Sequence, residues 1–192
     1  MRKALYIFGL LNDADVELLA TLGRVRTVPA GAVLIAQGRQ LDRLYILLDG
    51  HMDVAVAGVG TVATLGSGEV LGEMSFVDSA PTSATVRALD DVRLLDLPRA
   101  ELEERFVADP AFGMRFFKAI AVFLAERMRS TVQRLGYGRD AARGTDDGDP
   151  AAGLATPELL EDELDDGLLG SVGIAGERFA RLVRLLADRG EA

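Results

Sequence analysis

Val-Leu-Gly-Glu-Met-Ser-Phe-Val-Asp-Ser-Ala-Pro-Thr-Ser-Ala-Thr-Val-Arg-Ala, from Val70 to Ala88, is the stretch whose reading decides the fold. Its chemistry is that of a small-ligand cradle. Gly68 and Gly72 carry no Cβ and let the backbone come close to a ligand. Glu73 to Val77 can form one helical turn, whose free N–H groups would face an anion. Asp78 to Pro81 reads as a turn. Thr82, Ser83 and Thr85 then place hydroxyls just before an apolar strand. A carboxylate at Glu73 beside an anion site needs hydrogen-bond donors from the ligand, such as the hydroxyls of a ribose.

Outward from this stretch, Arg24 to Leu97 alternates short apolar runs with turn residues. The runs are 25–28, 33–35, 44–48, 52–56, 61–65, 84–86 and 92–97, a spacing that predicts an all-β barrel or sandwich. Before it, Asn12 can cap a short helix, with Leu11 and Val16 at the positions of a hydrophobic staple and Gly23 at its end. After it, Pro98 opens a short helix and Asp109-Pro110 a longer one, to about residue 135. Phe117, Ala121, Leu124, Met128, Thr131 and Leu135 recur at alternating steps of four and three, the pattern of a coiled-coil seam. Phe116, Ile120 and Phe123 form a second stripe beside it. One stripe can pack on the β domain and the other on a second subunit; the alternative is a single buried helix on one domain.

The stretch resembles the phosphate-binding cassette of the cyclic-nucleotide-binding domains, the family of the catabolite activator protein and the regulatory subunits of protein kinase A. Gly72, Glu73, Ser75, Pro81, Ser83, Ala84, Thr85 and Val86 fit the family pattern. So do Pro29-Ala30-Gly31, Leu34, Gly38 and Leu44 to Gly50, where the family has its glycine corners and apolar strand. The resemblance runs from Leu11 to Leu135, about two-thirds of the chain. It departs at Arg39, where an acid is usual, and at Thr82, where the family has its phosphate-binding arginine. The fold it implies is α+β: an antiparallel β-roll flanked by short helices, followed by a long dimerisation helix and a linker-attached terminal helix. The ligand-binding residues it implies are Leu71, Gly72, Glu73, Met74, Ser75, Thr82, Ser83, Ala84 and, from the long helix, Thr131. It implies cyclic AMP or cyclic GMP as ligands, and Thr82 in place of arginine predicts weak or absent binding of both. It also implies a homodimer.

The chain has 192 residues and a net charge of −9, with no cysteine. Residues 1–137 read as the β-roll domain and 138–157, rich in glycine and aspartate with two prolines, as a flexible linker. Residues 158–192 read as an acidic tail. Its amphipathic helix, about 175–189, has Phe179, Leu182, Val183 and Leu186 on one face and Arg178, Arg181 and Arg184 on the other. That helix can dock on its own domain, on a dimer mate or on a partner protein. The balance of charge is acidic throughout, which argues against nucleic acid, and no helix pair for DNA recognition follows the long helix. The run 158–166 offers no spaced ligand set for a metal. No secretory signal or membrane-length apolar run is present, so the expected location is the cytoplasm. His51 reads as a surface residue after a turn glycine, and no catalytic constellation can be assembled. Three function classes remain: a regulatory module that senses a nucleotide or small anion and acts through a protein partner, a ligand-free dimeric scaffold, and a transcription regulator with a reduced DNA-binding part.

Overall fold

A computed structural model describes residues 5–134 and 166–190. In chain order the elements are α1 (Leu5–Leu10), α2 (Asp13–Leu22), β1 (Arg24–Val28), β2 (Val33–Ile35), β3 (Arg43–Asp49), β4 (Met52–Val56), β5 (Gly60–Leu65), β6 (Val70–Leu71), α3 (Glu73–Asp78), β7 (Thr85–Ala88), β8 (Val92–Pro98), α4 (Arg99–Ala108), α5 (Pro110–Arg134) and α6 (Asp166–Gly190). The expected linker, 138–157, lies outside the described residues, as do Leu135 at the end of the seam and all but Asp166 of the acidic run.

The strands form two antiparallel four-stranded sheets, ordered β1-β8-β3-β6 and β2-β7-β4-β5. This is the α+β β-roll expected from the sequence. The apolar run of β3 is the reason the two halves of the core share a wall. Leu44, Ile46 and Leu48 face the helices, whereas Tyr45 and Leu47 face the interior of the roll. β8 divides in the same way, with Leu95 and Leu97 toward the helices and Val92 and Leu94 inside. A strand covered on both faces needs apolar residues at consecutive positions, and these two strands have them. At the corner between β3 and β4, Gly50 has φ +86°, and a Cβ there would lie 2.8 Å from the carbonyl oxygen of Asp91. A side chain is excluded at that corner both by conformation and by space.

The helices form one layer on the outer face of the first sheet. Asn12 and Asp15 close a capping box at the start of α2, and Leu11 and Val16 are both buried. Asp15 also accepts two 2.7 Å bonds from Arg115, which ties α2 to α5. Helix α1 and the two-residue strand β6 are additions to the expected elements. Helix α6 begins at Asp166, well before the expected 175. It packs on α1 and α2 of its own chain. Ala175, Leu182 and Leu186 are buried there, and the Phe179 ring lies 5.5 Å from that of Phe8. Arg178 donates to Asp13 at 2.9 Å, Arg181 to Asp13 and Glu17, and Arg189 to the carbonyl of Ala20 at 2.6 Å. Arg178 and Arg181 thus border the apolar stripe and hold it to the acidic start of α2, while Arg189 holds it to the end of that helix.

Candidate ligand pocket of the β-roll

Gly72 sets up the site. It has φ +85°, and a Cβ would lie 2.8 Å from the carbonyl oxygen of Arg43 and 2.7 Å from Leu41. Only glycine lets the chain leave β6, paired with β3 at Tyr45↔Leu71, and turn at once into α3. α3 is held from outside by the helices. The Phe76 ring lies 5.9 Å from that of Phe116 and 6.3 Å from that of Phe106. The Arg99 guanidinium stacks 5.3 Å from the Phe76 ring and donates to the carbonyl of Ser75 at 3.1 Å.

The loop after α3 turns on Ser79, at φ +56°, and on a 2.9 Å bond from the Ala80 amide to the Asp78 carboxylate. Thr82 follows and is buried. Its hydroxyl donates to the carbonyl of Ala36 at 2.6 Å and accepts from the Arg39 amide at 3.1 Å. Its amide donates to the carbonyl of Arg39 at 2.9 Å, and its carbonyl accepts from Gly38 at 2.8 Å. Thr82 is therefore a staple between this loop and residues 36–39, with its one hydroxyl hydrogen already committed.

Leu71, Gly72, Glu73, Met74, Ser75, Thr82, Ser83, Ala84 and Thr131 all line one cavity of about 1530 Å³. Apolar wall comes from Val54 and Val56 of β4, Val62 and Leu65 of β5, Val86 of β7, and Leu124 and Met128 of α5, with Glu69 and Arg127 among the polar residues along it. Ser83 is exposed, with its hydroxyl 3.9 Å from the sulfur of Met74. The Thr131 hydroxyl donates back to the carbonyl of Arg127 at 2.9 Å. His51 also borders the cavity; it is exposed, as expected, and its Nδ1 lies 2.7 Å from Asp90. That hydrogen bond holds the Asp90 carboxyl below its ordinary range.

Glu73 is only 3% exposed. Burial pushes its carboxyl above the ordinary glutamate value, and Arg127 opposes the rise. Arg127 reaches in from α5, donates through Nη1 to Oε1 of Glu73, and lies 5.3 Å from the Phe123 ring. Sequence reading did not identify this arginine. The signal was present: Arg127 stands four residues before Thr131, on the same helix face. The apolar contributions of β4 and β5 were also missed, since alternating strand residues carry no mark of a pocket. Among the described residues no cluster of His, Cys, Asp and Glu could hold a metal, and no helix is long and apolar enough to cross a membrane.

Residues 25–109 match the family model of the cyclic nucleotide-binding domain, and this part of the chain belongs to that family. The chain is 37% identical over 115 residues to a cyclic nucleotide-gated potassium channel of Mesorhizobium japonicum, covering 60% of this chain and 32% of the channel. It is 29% identical over 198 residues to a potassium channel of Oryza sativa subsp. japonica, covering 98% of this chain and 23% of the channel. The chain thus spans a third or less of the length of these relatives. Among solved structures, the Thermus thermophilus catabolite activator protein superposes with a TM-score of 0.59 at 23% identity, covering 96% of this chain and 88% of that one. A cyclic nucleotide-binding domain from Methylobacillus flagellatus gives 0.62 at 24% identity, over 69% and 80%. Both show the fold.

The Glu73–Arg127 pair makes a prediction for stability. An acid whose folded pKa lies above its unfolded value favours the folded state most at low pH, and that contribution is lost as pH rises through the folded pKa. Arg127→Met removes the opposing charge and raises the Glu73 carboxyl further. The variant should therefore lose more stability than the wild type between pH 5 and pH 8, read as melting temperature. Parallel pH profiles for the two proteins would show that the pair carries no such energy.

Proposed function

We propose that this chain is a non-enzymatic regulatory module of the cyclic-nucleotide-binding type that takes cyclic AMP and cyclic GMP weakly or not at all and acts through protein partners. The observation that carries this reading is Thr82. At the position of the family's phosphate-binding arginine stands a buried residue whose hydroxyl donates to Ala36 and accepts from Arg39. A nucleotide phosphate entering there meets no cation from the loop. Losing the charged partner of a buried pair costs about 2–5 kcal/mol, or roughly 30-fold to several-thousand-fold in dissociation constant.

The committed hydroxyl equally favours a ligand-free scaffold, and titration decides between the two. Among the described residues only α6 follows α5, which gives no helix pair for a DNA-reading motif. Isothermal titration of the native protein should give near-millimolar or undetectable binding of both cyclic nucleotides. Thr82→Arg should tighten it by at least about tenfold, the loss of the staple offsetting part of the gain. Low-micromolar binding by the native protein would overturn this reading of Thr82.

The outer face of α5 supports the homodimer. Met114 is 70%, Met128 67% and Val132 46% exposed, while Phe112, Phe116, Ile120 and Phe123 on the other face are buried. A helix with a second apolar stripe opposite its buried one can bury that stripe against a partner. Light scattering should give about twice the 20.5 kDa chain mass. Met128→Glu with Val132→Glu changes only exposed positions of the single chain, so it should leave the fold intact and yield monomer. A native monomer would remove the proposal.

A further inference from the structure

We infer that the pocket is built for an uncharged nucleoside, held by its ribose hydroxyls on Glu73, rather than for a phosphorylated one. This rests on the reading of the β-roll as a sensor domain and names the chemical class of its ligand.

Charge is the first support. The ionisable side chains along the cavity are Glu69, Glu73, Arg127 and His51. Arg127 is paired with Glu73, and His51 with Asp90 outside the cavity wall. Thr82 has no hydroxyl hydrogen to give. An anionic ligand therefore finds no unpaired cation among the described residues, while two carboxylates face it. Burying a charge without a partner is strongly unfavourable, so the site selects against the phosphate.

Glu73 is the second. A carboxylate has about four lone-pair sites; Arg127 occupies one through Nη1, and a backbone amide hydrogen bond draws on another. The group lines the cavity wall with only 3% of its surface exposed, so a ligand that reaches its remaining lone pairs must donate. Two vicinal hydroxyls donate in parallel to one carboxylate, the geometry that a ribose supplies and a simple apolar molecule does not. The third support is the remaining wall. Val54, Leu65, Val86, Leu124 and Met128 offer apolar surface on which a flat heterocycle can be buried. A volume of about 1530 Å³ admits a molecule of that size without strain.

The ligands themselves provide the test, so no variant has to fold. Adenosine and guanosine are titrated into the full chain by calorimetry, beside cyclic AMP, cyclic GMP and the 2′,3′-dideoxynucleosides. One of the two nucleosides should bind at least about tenfold more tightly than its cyclic nucleotide, and removing both hydroxyls should weaken it by a further tenfold or more. Glu73→Gln should reproduce the loss. If neither nucleoside binds and the cyclic nucleotides are also weak, this inference fails while the reading of Thr82 stands. If a cyclic nucleotide binds more tightly than its nucleoside, this inference fails, and if it binds at low-micromolar concentration the reading of Thr82 fails with it. Equal binding of nucleoside and dideoxynucleoside overturns the role of Glu73.

Discussion

A carboxylate sealed from water must be compensated, and here the compensation comes from another element of the fold. Glu73 opens α3 at the floor of the pocket; Arg127 reaches it from the middle of α5. The pair fixes where α5 lies over the β-roll. Phe76, one turn further along α3, packs its ring against Phe116 and Phe117 of the same helix. α5 is in turn held to α2 by the two bonds of Arg115 to Asp15. α1 packs on α5 and also carries α6. The pocket floor and the helical layer are thereby one connected body. Whatever occupies Glu73 competes for, or adds to, the contact that positions α5.

That connection gives Thr82 its meaning. In a site with a loop arginine, the loop brings the cation and Glu73 can be left to the ligand's hydroxyls. In this chain the loop has been made rigid instead, its threonine tied to Ala36 and Arg39. The one guanidinium along the cavity belongs to α5 and is already paired with Glu73. The pocket of the described residues thus pairs its one buried carboxylate with a helix arginine and holds no cation on its loop.

Much of this was legible in the residues. The alternating runs located seven of the eight strands, because half-buried strands and turn glycines leave a periodic trace. Gly72 was singled out for a different reason, as room for a ligand, whereas the space its missing Cβ would take is filled by Leu41 and the Arg43 carbonyl. β6 could not be read, since two residues carry no period. α1 was missed because its apolar face, Ile7 and Phe8, is explained only by α5 and α6 packing around it. The cassette residues converge on one cavity because they are local in sequence. Arg127 is 54 residues from Glu73, and nothing in a single chain pairs two charges at that distance. The role of the Thr82 hydroxyl was equally hidden, since its partners lie 43 and 46 residues away.

The coupling between pocket floor and long helix is measured most directly by a double-mutant cycle. Unfolding free energies are determined for the wild type, Glu73→Gln, Arg127→Met and the double variant. The two positions should couple by about 1–3 kcal/mol, with the double variant more stable than the sum of the single losses implies. Additive losses would mean that Glu73 and Arg127 contribute separately, and that α5 is not held by the pocket it covers.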